Sequence, residues 1–130
     1  MRNLIKISAL FLLSILLNSC ATVVETTKIQ EYKWNISEHD YKTTDQTYIL
    51  KNEFIIKKET ITLVSKGSEL KFNIFDITET TDEEGNNIVV YDCKYLKEDV
   101  RITHFIDMDF IMIFSDMKFN RYQNLMLFGN

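Results

Sequence analysis

Apolar and polar residues alternate in short runs over most of this chain, and polar turns separate the runs roughly every 8–12 residues. The clearest run, Asn87–Leu96, places Val89, Tyr91, Cys93 and Tyr95 on one face. A two-residue period is typical of strands that bury one face against a core. Because no helical period alternates with these runs, a parallel α/β fold is disfavoured. The pattern predicts an all-β fold, either a small antiparallel barrel or a sandwich of about eight strands.

Turn residues and one phase change divide the pattern further. Lys66-Gly67-Ser68 predicts a hairpin turn, and Asp82–Asn87 is the strongest turn signal in the chain. The polar stretch Ser37–Gln46 is interpreted as a loop. The alternation shifts phase between Ile74 and Phe75, which predicts a β-bulge at that point.

The last segment and the absence of proline leave part of the topology open. We interpret Met117–Phe128 as a strand, although Phe119, Tyr122 and Met126 would also line one face of a helix. The chain has no proline to protect the edges of a sheet. Charged edges, bulges or closure into a barrel would each solve that problem.

The first 20 residues differ in character from the rest of the chain. Arg2 and Lys6 give a basic start, Ile7–Leu17 is almost wholly apolar, and the small residue Ser19 follows. This order is the layout of a secretory signal peptide. The apolar run is shorter than the roughly 20 residues that a membrane-spanning helix needs. The segment is therefore predicted to be a signal helix that is removed.

The end of this segment carries a more specific pattern. Leu17-Asn18-Ser19-Cys20 resembles the lipobox of bacterial lipoprotein precursors, with Asn18 departing from the residues common at its position. The resemblance implies cleavage between Ser19 and Cys20 and attachment of diacylglycerol to the Cys20 thiol. Further acylation with a fatty acid such as palmitate would follow. The predicted division is a signal peptide over residues 1–19, a lipidated tether over 20–28 and a single β-rich domain over 29–130.

The same resemblance gives an expected location. Ala21-Thr22 lacks the aspartate that retains such lipoproteins in the inner membrane, which favours the outer membrane facing the periplasm. Two alternatives from the signal layout stay open, an uncleaved signal anchor and ordinary cleavage with release. Lipid chains suit a stable anchor because each buried methylene contributes about 0.8 kcal/mol.

The charge balance limits the possible partners. The formal charge is −4, and removing Arg2 and Lys6 leaves 13 basic residues against 19 acidic ones, or −6. An acidic domain is repelled by nucleic-acid phosphates, so no nucleic-acid partner is expected. The expected partners are the membrane, through the lipid anchor, and an envelope protein.

The residues with nucleophilic or metal-binding chemistry do not form a known motif. Cys93 and His104 are a conceivable nucleophile and base, but both lie on apolar faces and no third group is in place to orient them. Asp107, Asp109 and Asp116 are conceivable Ca²⁺ ligands, but the glycine and terminal glutamate of a calcium loop are missing. The acidic turn Asp82–Gly85 lacks the alternating ligand spacing, and two histidines cannot complete a usual zinc site. No metal, cofactor or catalytic site is predicted.

The aromatic content is high, with nine Phe, six Tyr and one Trp. At strand spacing most aromatic residues are expected in the core. Trp34 resembles the tryptophan in the first strand of lipocalin-like barrels, although Tyr32 stands where that family has a glycine. Two functions are therefore expected. The first is a membrane-tethered, non-enzymatic module for protein binding, envelope assembly or inhibition; the alternative is a carrier of a small apolar ligand inside a lipocalin-like barrel.

Overall fold

The computed structural model describes residues 21–130, and these form a closed barrel of eight antiparallel strands. The strands are β1 (Thr22–Asn35), β2 (Asp40–Ile56), β3 (Thr60–Ser65), β4 (Ser68–Thr81), β5 (Asn87–Tyr95), β6 (Glu98–Phe105), β7 (Phe110–Lys118) and β8 (Arg121–Gly129). A single 3₁₀ turn, Ile106–Met108, connects β6 to β7. Each strand pairs with the next along the chain, and β8 closes the barrel on β1. The prediction of an all-β fold is confirmed, and of the two predicted architectures the barrel is the one observed.

This up-and-down order gives the barrel two distinct ends. At the proximal end, where β1 begins, lie the turns β2–β3, β4–β5 and β6–β7 and the last residues of β8. At the distal end, where β1 ends, lie the turns β1–β2, β3–β4, β5–β6 and β7–β8. Closure leaves no free strand edge along the paired strands, which explains how a chain without proline avoids edge-to-edge association.

The core fills the interior of the barrel with large side chains from all eight strands. Phe54 and Phe128 meet edge to face inside the barrel, toward the proximal end, with ring centroids 4.9 Å apart. The fully buried neighbours are Val24, Ile61, Cys93, Ile102 and Ile111. Burying each large side chain of this kind contributes roughly 1.5–3 kcal/mol. The barrel is therefore held together mainly by its interior packing.

Local features predicted from the sequence can be compared directly. The register between β4 and β5 shifts between Ile74 and Asp76, which confirms the predicted bulge. The Lys66–Gly67 hairpin turn and the Asp82–Asn86 turn are also present. Both Lys66 and Gly67 have positive φ angles of 48° and 77°, as the two central residues of a type I′ hairpin require.

Three predicted boundaries need correction. The proposed tether over residues 20–28 is strand from Thr22 onward, because Val24 and Thr26 point into the core and the segment pairs with β2. The domain therefore begins at about residue 22, not 29. The polar stretch Ser37–Gln46 is strand from Asp40, because one long hairpin joins β1 and β2.

The C-terminal segment is extended, as predicted, but it is not one strand. A hairpin turn at Phe119–Asn120 separates β7 from β8 within the range Met117–Phe128. Both turn residues have positive φ, at 55° and 60°. The sequence gives no glycine at this turn, which is why the break was missed.

The predicted signal helix and the lipobox, including Ser19 and Cys20, lie outside the described residues. Within 21–130, no helix has the length and apolar content needed to cross a bilayer.

Candidate functional site

The barrel does not bring Cys93 and His104 together. In the β5–β6 register Cys93 is opposite Val100, whereas His104 is opposite Val89, four residues further along β5. Four residues of a strand span about 13 Å. Burial also raises the pKa of the Cys93 thiol to about 12, so it stays protonated at neutral pH. A buried, protonated thiol is a poor nucleophile.

The acidic residues considered as metal ligands are likewise dispersed. Asp107 and Asp109 lie at the proximal end of β7, and Asp116 lies near its distal end. The carboxylate of Asp82 accepts hydrogen bonds from the backbone N–H groups of Glu84 and Asn86, at 2.9 and 2.8 Å, and so closes its own turn. The hydrogen bond from the Asn86 side chain, together with these backbone bonds, lowers the pKa of Asp82. Over residues 21–130 no three His, Cys, Asp or Glu side chains cluster as metal ligands would.

The interior offers little room for a ligand. Between its tightly packed apolar side chains, two buried polar groups face each other, Thr26 on β1 and Asn52 on β2. The Asn52 amide donates to the carbonyl of Leu50 at 2.9 Å. A pocket of about 150 Å³ lies beside the distal part of β1 and β8, with Glu31, Lys33, Ser115 and Asn124 in its lining. That volume is smaller than the roughly 300 Å³ at which typical ligand pockets begin.

The outer face of β6, β7, β8, β1 and β2 differs from the rest of the barrel surface. Phe114 on β7 is opposite Leu125 on β8. Phe114 follows Ile113 and Leu125 precedes Met126, and both Ile113 and Met126 pack in the core. Successive residues of a strand point to opposite faces, so Phe114 and Leu125 point outward. Leu125 is nevertheless only 7 % exposed. Part of this outer face is therefore covered by neighbouring side chains.

Aromatic side chains on this outer face form a connected series of ring contacts. Trp34 contacts Tyr41 with ring centroids 5.2 Å apart, and Tyr41 contacts Phe114 at 6.0 Å. Tyr122 continues the series, 6.1 Å from Phe114. The Tyr41 hydroxyl donates to the backbone carbonyl of Tyr122 at 2.7 Å, which ties β2 to β8 across β1. Partial burial raises the pKa of both tyrosine hydroxyls, so they are hydrogen-bond donors at neutral pH.

Two arginines lie against these rings. The Arg121 guanidinium is 3.8 Å from the centre of the Trp34 ring, and the Arg101 guanidinium is 6.0 Å from that of Tyr122. Arg101 also donates to the carboxylate of Asp92 at 2.9 Å, which raises the pKa of Arg101. We call the set Trp34, Tyr41, Phe114, Tyr122, Arg101 and Arg121 the aromatic–arginine patch.

The aromatic–arginine patch opens onto the exposed turns of the distal end. Phe119 and Ile36, at the β7–β8 and β1–β2 turns, are 97 % and 76 % exposed. Both line a shallow surface pocket of about 420 Å³ together with Trp34 and Arg121. A neighbouring pocket of about 410 Å³ has Arg121 in its lining as well, with Tyr41, Phe114 and Tyr122. The guanidinium of Arg121 is thus shared by two adjoining depressions.

The aromatic–arginine patch was not predicted from the sequence, for a physical reason. Strand β7 carries five consecutive apolar residues, Phe110–Phe114, and a continuous apolar run indicates that both faces of a strand are covered. That run was available as a signal, but aromatic residues at strand spacing were assigned to the core. Trp34 and Tyr41 belong instead to the outer surface, and Arg121 and Tyr122 lay within the segment whose turn was not recognised.

The fold defines the class of architecture, an eight-stranded up-and-down antiparallel barrel. No family model, curated protein or solved structure matches the chain. Indications of function therefore come from the residues of the barrel itself.

Proposed function

We propose that this protein is a membrane-tethered, non-enzymatic lipoprotein of the cell envelope that binds another protein through its aromatic–arginine patch. The anchor in this proposal is diacylglycerol on Cys20, most simply in the outer membrane with the domain in the periplasm. Because β1 begins at Thr22, only Ala21 separates that cysteine from the barrel. The proximal end would then lie at the bilayer and the distal end would point away from it.

One observation carries the binding proposal: aromatic rings and arginines are grouped on the outer face of a barrel whose core is already complete. Tryptophan, tyrosine and arginine are the residue types most enriched among the residues that dominate protein-binding energies. Trp34, Tyr122 and Arg121 supply all three within one surface. The large exposed side chains Phe119 and Ile36 extend the same surface at the distal end.

A partner would be held mainly by the free energy released when these apolar side chains are removed from water. Phe119 is almost fully exposed, so a partner that covers it removes a large apolar area from water. Each square ångström of apolar surface so buried contributes about 25 cal/mol, before the costs of association. The rings beneath it are fixed by their mutual contacts and by the Tyr41 hydrogen bond, so little side-chain entropy is lost there.

Quantitative co-purification from envelope extracts tests the proposal. The bait is the lipidated full chain, compared with Trp34→Ala plus Phe119→Ala. The matched control is Phe75→Ala plus Ile77→Ala, which removes exposed apolar side chains from β4 instead. We expect one stoichiometric partner that the control retains and the patch variant loses by at least about tenfold. Equal recovery by both variants would contradict the proposal.

The carrier alternative depends on space inside the barrel. The up-and-down topology is compatible with it, but the contact between the fully buried rings of Phe54 and Phe128 supports a packed interior. Trp34, the basis of the lipocalin resemblance, lies in the outer patch and not in the core cluster. The packing therefore supports the protein-binding proposal over the carrier.

A further inference from the structure

We infer that the partner segment bound at the distal end is an acidic stretch of polypeptide that carries an aromatic or large aliphatic side chain. This inference rests on the proposed function and specifies the chemistry of its partner. Three features support it: the charge of the distal end, the guanidinium of Arg121, which is unpaired within the described residues, and the exposed apolar residues of the distal turns.

The two ends of the barrel differ in charge: the proximal end is strongly acidic and the distal end is close to neutral. The proximal turns contain Lys57 and Lys58 against six acidic residues, namely Glu59, Asp82, Glu83, Glu84, Asp107 and Asp109. The distal turns and the residues beside them contain four basic residues against three acidic ones. The basic residues are Lys66, Lys97, Lys118 and Arg121, and the acidic ones are Glu38, Asp40 and Glu98; Lys118 is in addition paired with Asp116 near the end of β7, so the distal end is close to neutral. In a domain with a clear excess of acids, the distal end is therefore the end that repels an anionic partner least.

Arg121 is the cation best placed to bind such a partner. Its guanidinium lies over the Trp34 ring, and within the described part of the chain it forms no ion pair. Arg101, by contrast, is already paired with Asp92. A guanidinium that stacks on a ring keeps its N–H edge available, and that edge matches a carboxylate with two parallel hydrogen bonds.

The distal turns supply the apolar half of the recognition. Phe119 and Leu96 occupy turn positions with φ of 55° and 56°, where glycine or asparagine is the usual residue. Leu96 is 84 % exposed and Phe119 is almost wholly exposed. Bulky residues kept in a strained, exposed conformation are typical of functional contact points. A carboxylate on Arg121 would place its neighbouring side chain in the pocket between Phe119 and Ile36.

The single tryptophan of the chain, Trp34, is a built-in reporter for this surface. The test uses the lipidated full chain in neutral detergent and three synthetic decapeptides that alternate Tyr with Glu, Gln or Lys. We expect the Glu peptide to change Trp34 emission and to bind at least about tenfold tighter than the Gln peptide, with an affinity that falls as salt rises. The Lys peptide should not bind.

Matched variants locate the effect. Arg121→Gln should weaken binding of the Glu peptide about tenfold, whereas Lys71→Gln, which removes one exposed charge from β4, should change it less than about twofold. Thermal unfolding of both variants checks that they remain folded. Equal binding of the Glu and Gln peptides, or no effect of Arg121→Gln, would overturn the inference. Vesicles containing phosphatidylglycerol that bind with the same dependence on Arg121 would also overturn it, since they would assign a lipid surface.

The two proposals fail in distinguishable ways. If the patch variant loses its envelope partner but the Glu peptide does not bind, the acidic partner is wrong and the protein-binding function stands. If the envelope partner does not depend on the patch and the Glu peptide does not bind, both proposals fall.

Discussion

The turns at the proximal and distal ends of the barrel are built from different kinds of residue. The proximal β4–β5 turn uses residues suited to turns: Asp82 accepts hydrogen bonds from the residues that follow it, and Gly85 takes the positive φ of 84°. The distal β7–β8 turn places Phe119 in a left-handed conformation, exposed to water. One end follows the local preferences of the chain and the other departs from them.

This difference between the turns indicates which end of the barrel is the better candidate for a binding surface. A bulky residue in the left-handed region costs about 1–2 kcal/mol, so it persists only where something else favours it. The proximal end also exposes apolar side chains, Ile106 and Met108, and an edge-to-face pair of rings, Phe105 and Phe110, flanks that turn, but no arginine of the described residues lies against those rings. Within the described barrel, a bulky turn residue in the left-handed region, a stacked aromatic ring and an arginine without an ion pair occur together at the distal end.

The largest expected effect concerns the proposed lipid anchor on Cys20. Cys20→Ala removes the predicted site of lipid attachment, and without two or more hydrocarbon chains stable membrane binding is lost. We expect almost complete transfer of the protein from the membrane fraction to the soluble fraction, with an unchanged circular dichroism spectrum. The control, Cys93→Ala, removes the other cysteine and should leave fractionation as it is. Retention of the Cys20→Ala protein in the membrane would remove the basis for assigning the proximal end to the bilayer.

The second prediction separates the core from the outer surface. Phe54→Ala empties a fully buried position that contacts Phe128, and it should lower the free energy of unfolding by about 3–5 kcal/mol. Phe75→Ala, at an exposed position on β4, should lower it by less than about 1 kcal/mol. Urea unfolding followed by circular dichroism measures both. Similar losses for the two variants would mean that the interior is not the main source of stability.

The third prediction tests the strain at the distal end. Phe119→Asn places a residue that tolerates the left-handed region at the β7–β8 turn, and it should raise the free energy of unfolding by about 1 kcal/mol. Its control is Ile36→Asn, because Ile36 is exposed in the neighbouring turn but does not have a positive φ. That variant should leave stability within about 0.5 kcal/mol. If Phe119→Asn gains stability but no longer binds the envelope partner, Phe119 lowers the stability of the fold in order to serve binding.

The period-two pattern was sufficient to predict an all-β fold of about eight strands, because side chains along most of a barrel strand alternate between the core and the outer face. Val89, Cys93, Val100 and Ile102 all point inward as that pattern requires, and even the bulge after Ile74 is visible as a phase change. Boundaries were harder, since Thr22–Lys28 is polar on its outer side and reads as a linker until its pairing with β2 is known.

The candidate site could not be predicted in the same way. The patch joins side chains from β1, β2, β6, β7 and β8, and closure of β8 on β1 is what brings Trp34 near Arg121. That contact depends on barrel closure and on strand register, and neither can be predicted from the local alternation of apolar and polar residues. The turn at Phe119 was hidden for the opposite reason, because its residues contradict the usual turn composition.

The smallest expected effect concerns His104, which is buried near the end of β6 in the proximal half of the barrel. Burial lowers the pKa of the His104 imidazole, and the negative charge of Asp109 opposes that shift only in part. Its Nε2 has no hydrogen-bond partner within the described residues, so the neutral ring is the form the fold accommodates. The unfolded chain therefore takes up a proton at a higher pH than the folded protein does. The free energy of unfolding should fall as pH drops below the ordinary histidine pKa of about 6.5, and this contribution should level off below the folded pKa.

His104→Gln removes the titrating ring and should flatten this part of the pH dependence. His39→Gln, which removes a histidine from the exposed β1–β2 turn, is the matched control and should leave the wild-type curve unchanged. Urea unfolding of the three proteins between pH 7 and pH 5 measures the effect. If His104→Gln and the wild type lose stability in parallel, the acid sensitivity belongs to other groups.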